Sequence, residues 1–165
     1  MVVHSKPEAI KAAYRYALGR FPTGVAFVAA RHDGKTARLV VNSFTSVSLD
    51  PPLVMWCLGL TSRCRSVILN APTFAVSVLS QEQRPLIAAL SRPLEQRFDG
   101  VAVRNGIGSA PIIEGATAIF ECRTFSISWA GDHDLVLGLV EKFSTSPEAP
   151  LACLGGRFGG VHIAA

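Results

Sequence analysis

Three short polar segments contain the residues of this chain that are best suited to bind a ligand. The first, Asn42-Ser43-Phe44-Thr45-Ser46-Val47-Ser48, has five uncharged hydrogen-bonding side chains among its seven residues. Such side chains could match the donors and acceptors along the edge of a flat heterocycle without adding charge. They could equally form the polar face of a strand at a sheet edge, and both interpretations stay open at this point.

The second segment, Thr61-Ser62-Arg63-Cys64-Arg65-Ser66, combines hydroxyls with two arginines. The pattern predicts a short helix over 63–69, capped by Thr61 or Ser62. Free backbone N–H groups, hydroxyls and guanidinium groups at a helix start suit a phosphate. A capped helix with two solvated arginines is the alternative.

The third segment, Gly131-Asp132-His133-Asp134, places a histidine directly after two turn residues and at the start of an apolar strand. A single histidine in such a place is more often structural than functional. The other histidines are expected to be solvated, because His4 and His162 lie near the ends and His32 lies beside a turn.

Common catalytic motifs are absent from the sequence. It has no Gly-x-Ser-x-Gly nucleophile motif, no phosphate loop ending in Gly-Lys and no Gly-x-Gly-x-x-Gly after a strand. The four cysteines form no Cys-x-x-Cys pair and have no histidine at ligand spacing, so we expect no metal site and no disulfide framework. If the protein is an enzyme, a bound cofactor should supply the chemistry.

Length and composition favour one domain over residues 1–165. The chain is 49% hydrophobic and only 17% charged, which excludes disorder. It has neither an apolar run long enough for a membrane span nor a secretory pattern at its start, so we expect a cytoplasmic protein with buried free thiols. So high an apolar content in a short chain also favours a homo-oligomer.

The charge balance is basic, with a net charge of +4 and 12 arginines among 16 basic residues. Arginine suits planar contacts with phosphate or carboxylate, so small anionic ligands are expected. A nucleic-acid-binding barrel is suggested only by the isoelectric point of about 9.1. No basic run interleaves with aromatic residues, and we therefore expect no nucleic-acid partner.

The periodicity predicts a mostly β protein. Helical spacing covers 7–20, 63–69 and 82–90, and strands are predicted at 24–30, 38–44, 53–58, 73–79, 116–128 and 135–143. Asp33-Gly34 predicts a hairpin. Consecutive strands without helices between them favour an antiparallel barrel with a few peripheral helices. Residues 91–115, rich in Gly and Pro, are predicted to form a long excursion over the surface.

Seven segments, in this order and spacing, resemble the short-chain flavin reductases, the small components of two-component flavin-dependent monooxygenases. They are Phe21-Pro22-Thr23-Gly24-Val25, the segment from Asn42 to Val54, Thr61-Ser62-Arg63, Phe74-Ala75-Val76-Ser77-Val78-Leu79, Arg97-Phe98-Asp99-Gly100, Gly131-Asp132-His133 and Gly156-Arg157-Phe158. The resemblance implies a split β-barrel with a Greek-key core, acting as a homodimer. It also implies that NADH or NADPH reduces FMN or FAD, and that the reduced flavin passes to a partner monooxygenase.

The resemblance also implies roles for individual residues. Those implied along the flavin ring and ribityl chain are Asn42, Ser43, Thr45 and Ser46. Those implied at the flavin phosphate are Ser62 and Arg63, with Arg97 and Phe98 on a segment that borders the site. His133 and Arg157 are implied to contact the nicotinamide nucleotide, with His133 positioning the nicotinamide.

Two other functions are compatible with the same barrel. A non-catalytic flavin-binding or sensing module would bind flavin without turnover, and an oxidase of the pyridoxamine-phosphate type shares the architecture. The Gly-Asp-His triplet favours the reductase over both. Hydride transfer between two bound heterocycles also needs no protein nucleophile, which agrees with the missing catalytic motifs.

Overall fold

The computed structural model describes residues 7–90, 92 and 100–162. The helices of this part are α1 (Pro7–Leu18), α2 (Arg65–Asn70) and α3 (Leu86–Leu90). Its strands are β1 (Thr23–Gly24), β2 (Ala26–His32), β3 (Lys35–Val41), β4 (Thr45–Leu49), β5 (Pro52–Gly59), β6 (Thr73–Val78), β7 (Val103–Asn105), β8 (Pro111–Ile113), β9 (Ala118–Ala130), β10 (His133–Thr145), β11 (Leu151–Leu154) and β12 (Arg157–Gly160). The prediction of a mostly β protein with a few helices is confirmed.

Seven of the strands form one antiparallel sheet in the order β3-β2-β6-β9-β10-β5-β4. The hairpin predicted at Asp33-Gly34 is confirmed, because His32 pairs with Lys35 across a two-residue turn. Strands β3 and β4 are therefore neighbours in sequence but lie at opposite edges of the sheet.

This connection shows that the sheet is rolled. Only residues 42–44 join β3 to β4, and four residue steps reach at most about 14 Å. A flat sheet of seven strands would be about 29 Å wide at the usual spacing between strands. The two edges must therefore approach each other, as in a barrel that is split on one side, although the described strands form no ladder between β3 and β4.

Strand β2 divides the core into two parts. Its residues Ala26, Val28 and Ala30 pack inside the roll with Trp56, Phe74 and the helix α2. The alternate residues Val25, Phe27 and Ala29 pack on the other face with Leu79, Leu90, Ile113 and Leu151. Because successive side chains of a strand point to opposite faces, both faces of β2 are covered by apolar groups.

The prediction that residues 91–115 form a surface excursion is only partly correct for the described part of that segment, because 102–105 are exposed whereas other residues are buried. Strands β7 and β8 form a hairpin there, and Ala110, Ile112 and Ile113 are fully buried. The many Gly and Pro residues concealed a short apolar strand that covers the outside of the sheet. Arg97 and Phe98 lie outside the described residues.

Strands β1, β11 and β12 form a small three-stranded sheet that the periodicity did not indicate, because each strand has only two to four residues. Of the four free cysteines, Cys64, Cys122 and Cys153 are buried and Cys57 is partly buried, so the expectation of buried thiols holds for three of them. None of the described helices is long and apolar enough to cross a membrane.

Candidate functional site

Two of the three polar segments meet at one end of the sheet. Strands β5 and β10 are paired so that His133 lies opposite Gly59. Just beyond the ladder, the backbone N–H of Leu60 donates a hydrogen bond to the carbonyl oxygen of Asp132 at 3.1 Å. The loop between β5 and α2, residues 60–64, therefore lies directly beside the turn that carries His133.

A partly buried ion pair fixes these two segments together. The Arg65 guanidinium donates two hydrogen bonds to Asp134, from Nε to Oδ2 at 2.7 Å and from Nη2 to Oδ1 at 3.3 Å. The Asp134 side chain is only 5% exposed, whereas that of Arg65 is 37% exposed. The hydrogen bond to Asp134 raises the pKa of Arg65. The sequence analysis missed this pair, because its two members lie 69 positions apart.

The helix after this loop begins later than predicted. Helix α2 starts at Arg65, with Cys64 as the capping position, and neither Thr61 nor Ser62 caps it. The Ser62 hydroxyl instead accepts a hydrogen bond from the Cys64 N–H at 3.2 Å within the preceding turn. Serine favours this local bond as readily as a helix cap, which is why the sequence pattern misled the prediction.

The same turn leaves hydrogen-bond donors available. Among the described residues, the backbone N–H groups of Thr61 and Arg63 have no partner, and the Arg63 side chain is exposed. The Cys64 thiol is buried and exchanges hydrogen bonds with the backbone of Arg38 on β3, at 3.3 and 3.4 Å. The contact with Arg38 thus holds the loop on the barrel, and two of the loop's backbone N–H groups stay without a partner among the described residues.

The first polar segment follows β5 toward the same end. The Ser43 hydroxyl accepts a hydrogen bond from the Cys57 N–H at 2.9 Å and so extends the β4–β5 ladder by a side chain. Thr45 and Ser46 on β4 lie opposite Met55 and Val54. Asn42, Thr45 and Ser46 are exposed. The segment therefore presents uncharged polar side chains along the split of the barrel.

His133 lies half-exposed over Gly59. A Cβ atom at Gly59 would be 3.9 Å from the His133 Nε2 atom, so the imidazole covers the end of β5. The Nδ1 atom lies 2.7 Å from Asp132 Oδ1. This contact, rather than burial, lowers the pKa of the exposed Asp132 carboxyl. The prediction that His133 opens a strand at the end of the barrel is confirmed, whereas its contact with a nucleotide stays a prediction.

Arg157 begins β12, away from the β5–β10 ladder, and a groove beside α1 connects it to the other segments. Arg157 lines a cavity of about 550 Å³ together with Arg15 of α1. A second cavity, of about 270 Å³, contains Arg15 and Asn42. Arg15 therefore lies between the first polar segment and Arg157. The sequence analysis missed it, because the spacing of apolar residues in α1 does not show which part of the barrel the helix lies against.

The fold and this arrangement are those expected of a protein that binds flat, anionic cofactors. Comparison with known proteins agrees with that class. Residues 18–162 match the flavin reductase like domain family. This chain belongs to that family, and the predicted family and reaction class of a flavin reductase are confirmed.

Similar proteins include a Rhizobium meliloti protein named "Probable flavin reductase", which is 43% identical over 135 residues. That match spans 81% of this chain but only 43% of the other protein. An FMN reductase (NADH) of Agrobacterium fabrum is 39% identical over 146 residues, covering 88% of this chain and 83% of that protein.

Among solved structures, an NADH:FAD oxidoreductase of Streptomyces globisporus, in complex with NAD and FAD fragments, superposes with a TM-score of 0.87 and 34% identity. The match covers 99% of this chain and 98% of that chain. The predicted cofactor pair of a flavin and a nicotinamide nucleotide is thereby confirmed for the family.

Proposed function

We propose that this protein transfers a hydride from NADH or NADPH to FMN or FAD, using the end of the barrel where residues 42–46, 60–64 and 131–133 converge. The observation that supports this proposal most strongly is the pairing of His133 with Gly59, next to the hydrogen bond from Leu60 to Asp132. These contacts bring the loop with free donors and the histidine together, and the hydrogen bond from Cys57 to Ser43 places the polar strand edge beside the same end of β5. A bound flavin supplies the hydride acceptor there and the nicotinamide nucleotide supplies the donor.

The residues present fit a flavin. Asn42, Ser43, Thr45 and Ser46 offer uncharged donors and acceptors for the polar edge of the ring and for the ribityl chain. Ser43 already accepts one hydrogen bond from Cys57, and its own O–H proton is left to donate. Arg63 and the free N–H groups of Thr61 and Arg63 suit the phosphate, with the Ser62 hydroxyl beside them.

The remaining residues orient the hydride donor. His133 would contact the nicotinamide part of the nucleotide, and Arg157 would bind its charged part. No side chain has to accept a proton or attack a carbon atom, so orientation and exclusion of water are the contributions expected of the protein. This division of tasks explains why the site has polar and basic groups but no nucleophile–base pair.

A second part of the proposal concerns assembly. Among the described residues, the strongly exposed large apolar side chains include Leu49 at 93%, Phe21 at 75%, and Trp129 and Phe143 at 74% each. We infer that a second copy covers part of this surface in a homodimer. Light scattering should then give about twice the chain mass of 17.6 kDa. An active monomer at micromolar concentration would contradict the dimer.

The third part concerns the partner. Flavin-dependent monooxygenases receive reduced flavin from reductases, and one relative is named as the reductase component of a flavin-dependent trigonelline monooxygenase. We infer that a monooxygenase also accepts the reduced flavin made by this protein. Neither a nucleic acid nor a membrane is required by the proposal.

Steady-state oxidation of NADH and NADPH, with FMN, FAD and riboflavin compared side by side, tests the proposed function. Turnover with at least one nucleotide and one flavin is expected. Flavin binding without any turnover would contradict the reductase and favour the non-catalytic flavin-binding module.

A further inference from the structure

Three arginines line the groove between α1 and the turn that joins β11 to β12. Arg15, Arg20 and Arg157 all face its volume of about 550 Å³, and no acidic residue does. Within the described part of the chain, no carboxylate forms an ion pair with any of the three. Three guanidinium groups without an ion-pair partner around one concave surface concentrate positive potential there.

The base of the groove is formed by glycines. Gly155 and Gly156 form the two-residue turn between Leu154 and Arg157, with φ angles of 57° and 76°, a region that side chains disfavour. The Gly155 N–H donates to the carbonyl oxygen of Gly19 at 2.9 Å, and a Cβ at Gly19 would lie 3.3 Å from the Gly155 Cα. The turn is thus held closely against the end of α1, and no side chain of the turn fills the groove.

The groove leads to the site already described. Arg15 also lines the smaller cavity that contains Asn42. The pKa of Asp132 is lowered mainly by its hydrogen bond with His133, and the positive charge of Arg15 adds to this effect. The two cavities share Arg15 and Gly155 in their linings, so the groove is continuous with the polar edge at Asn42. A nucleotide whose nicotinamide lies beside a flavin on that edge would bring its diphosphate toward Arg15, Arg20 and Arg157.

We propose that Arg15, Arg20 and Arg157 bind the diphosphate of the nicotinamide nucleotide while its nicotinamide lies at His133. The inference rests on the proposed function and adds Arg15 and Arg20 to the site. A diphosphate carries two negative charges in a compact group, which planar guanidinium groups bind with paired hydrogen bonds. The phosphate of FMN has its own basic loop at residues 60–64, so the groove is available to the second ligand.

The test compares Arg15→Ala and Arg20→Ala with the matched control Arg104→Ala, which removes an exposed arginine of β7 outside the groove lining. Calorimetric titration with ADP-ribose should show a Kd raised about tenfold in each groove variant, as expected for one charged hydrogen bond. Nicotinamide mononucleotide, which lacks the diphosphate bridge, should bind almost as in the wild type. With FMN as acceptor, the KM for NADH should rise while kcat stays nearly constant.

Three results would overturn the assignment. The first is an unchanged affinity for ADP-ribose in both groove variants. The second is an equal loss of affinity for nicotinamide mononucleotide, which would place the effect at the nicotinamide end. The third is weaker binding of FAD with an unchanged KM for NADH, which would assign the groove to the flavin. Because the titration needs no turnover, it remains decisive even if the protein oxidises no NADH.

Discussion

The arginines around the candidate site differ in whether a carboxylate forms an ion pair with them. Arg65, under the loop, is held by the buried Asp134 through two hydrogen bonds. Arg63 on the loop and the three groove arginines have no carboxylate partner among the described residues. Since Asp134 balances the charge of Arg65, we infer that Arg65 maintains the shape of the site and that the arginines without an ion-pair partner are available to anions.

The largest expected effect tests an unpaired arginine. Arg63→Ala should weaken FMN binding by about 1.5–3 kcal/mol, the range of a charged hydrogen bond. Riboflavin has no phosphate and should lose far less affinity. Fluorescence quenching titrations with the two flavins measure this difference, and equal losses for both would remove Arg63 from the phosphate site.

The paired arginine is tested through its partner. Asp134→Asn leaves Arg65 without a carboxylate and loosens the contact between residues 60–64 and 131–133. Because small displacements in a site are costly, we expect the Kd of FMN and the KM for NADH to rise together, each by about threefold to tenfold. Riboflavin should be affected like FMN, in contrast to Arg63→Ala.

Asp134→Glu provides the matched control, because it keeps the carboxylate. Its Kd for FMN and its KM for NADH should lie between those of Asp134→Asn and the wild type. If Asp134→Asn melts at a lower temperature but keeps the wild-type Kd for FMN and KM for NADH, the ion pair contributes to stability alone.

Replacement of His133 should give a smaller effect. We expect His133→Ala to raise the KM for NAD(P)H about fivefold, as for one neutral hydrogen bond, and to lower kcat through poorer alignment. Flavin affinity should hardly change, since residues 42–46 and 62–63 remain. If His133 only stabilises the turn, the folded variant will be less stable and will keep both kinetic constants.

Cys122 provides a test that should leave both groups of arginines unaffected. Burial raises the pKa of its thiol from 9.0 to about 12, with the charges of Glu141 and Glu121 adding to the effect. Below pH 9 the thiol is protonated in both the folded and the unfolded chain, so its full contribution to the free energy of unfolding is present. Between pH 9 and pH 12 only the unfolded chain loses the proton, so this group lowers the free energy of unfolding by about 1.4 kcal/mol per pH unit.

Urea unfolding at pH 8 and pH 10 measures that slope. Cys122→Ala should lose this part of the pH dependence, whereas Cys57→Ala, which removes a partly buried thiol, should keep it. The same slope in Cys122→Ala and the wild type would refute the assignment. Neither variant should change the Kd of FMN at neutral pH.

The sequence predicted those features that depend on local patterns. Runs of Val, Ile and Phe located most long strands, and Asp33-Gly34 located a hairpin. Strand β4 was not predicted as a strand separate from β3. Its residues Thr45–Leu49 are mostly exposed and polar, so they show no alternation of apolar and polar side chains. The start of α2 was placed too early, since the Ser62 hydroxyl could serve a cap or a turn equally well.

The parts of the site that could not be predicted depend on tertiary contacts. Nothing local links Arg65 to Asp134, and nothing in the spacing of α1 indicates that Arg15 lies near Asn42 and Asp132. Ile112 and Ile113 also escaped notice, because a three-residue strand is too short to show periodicity. The family resemblance supplied the residues of the site, whereas only the folded chain shows which of them already have a partner.

The short connection between β3 and β4 has a dynamic consequence. Neighbouring strands of the large sheet are joined by ladders of backbone hydrogen bonds, but among the described residues no ladder joins the two edges β3 and β4, which are linked by residues 42–44 and by the contact of Cys64 with Arg38. The two edges can separate with the loss of few hydrogen bonds. We therefore expect the barrel to open and close along residues 42–44. A flavin bound along residues 42–46 would hold these two edges together. The rate at which the flavin dissociates would then depend on the rate at which the barrel opens.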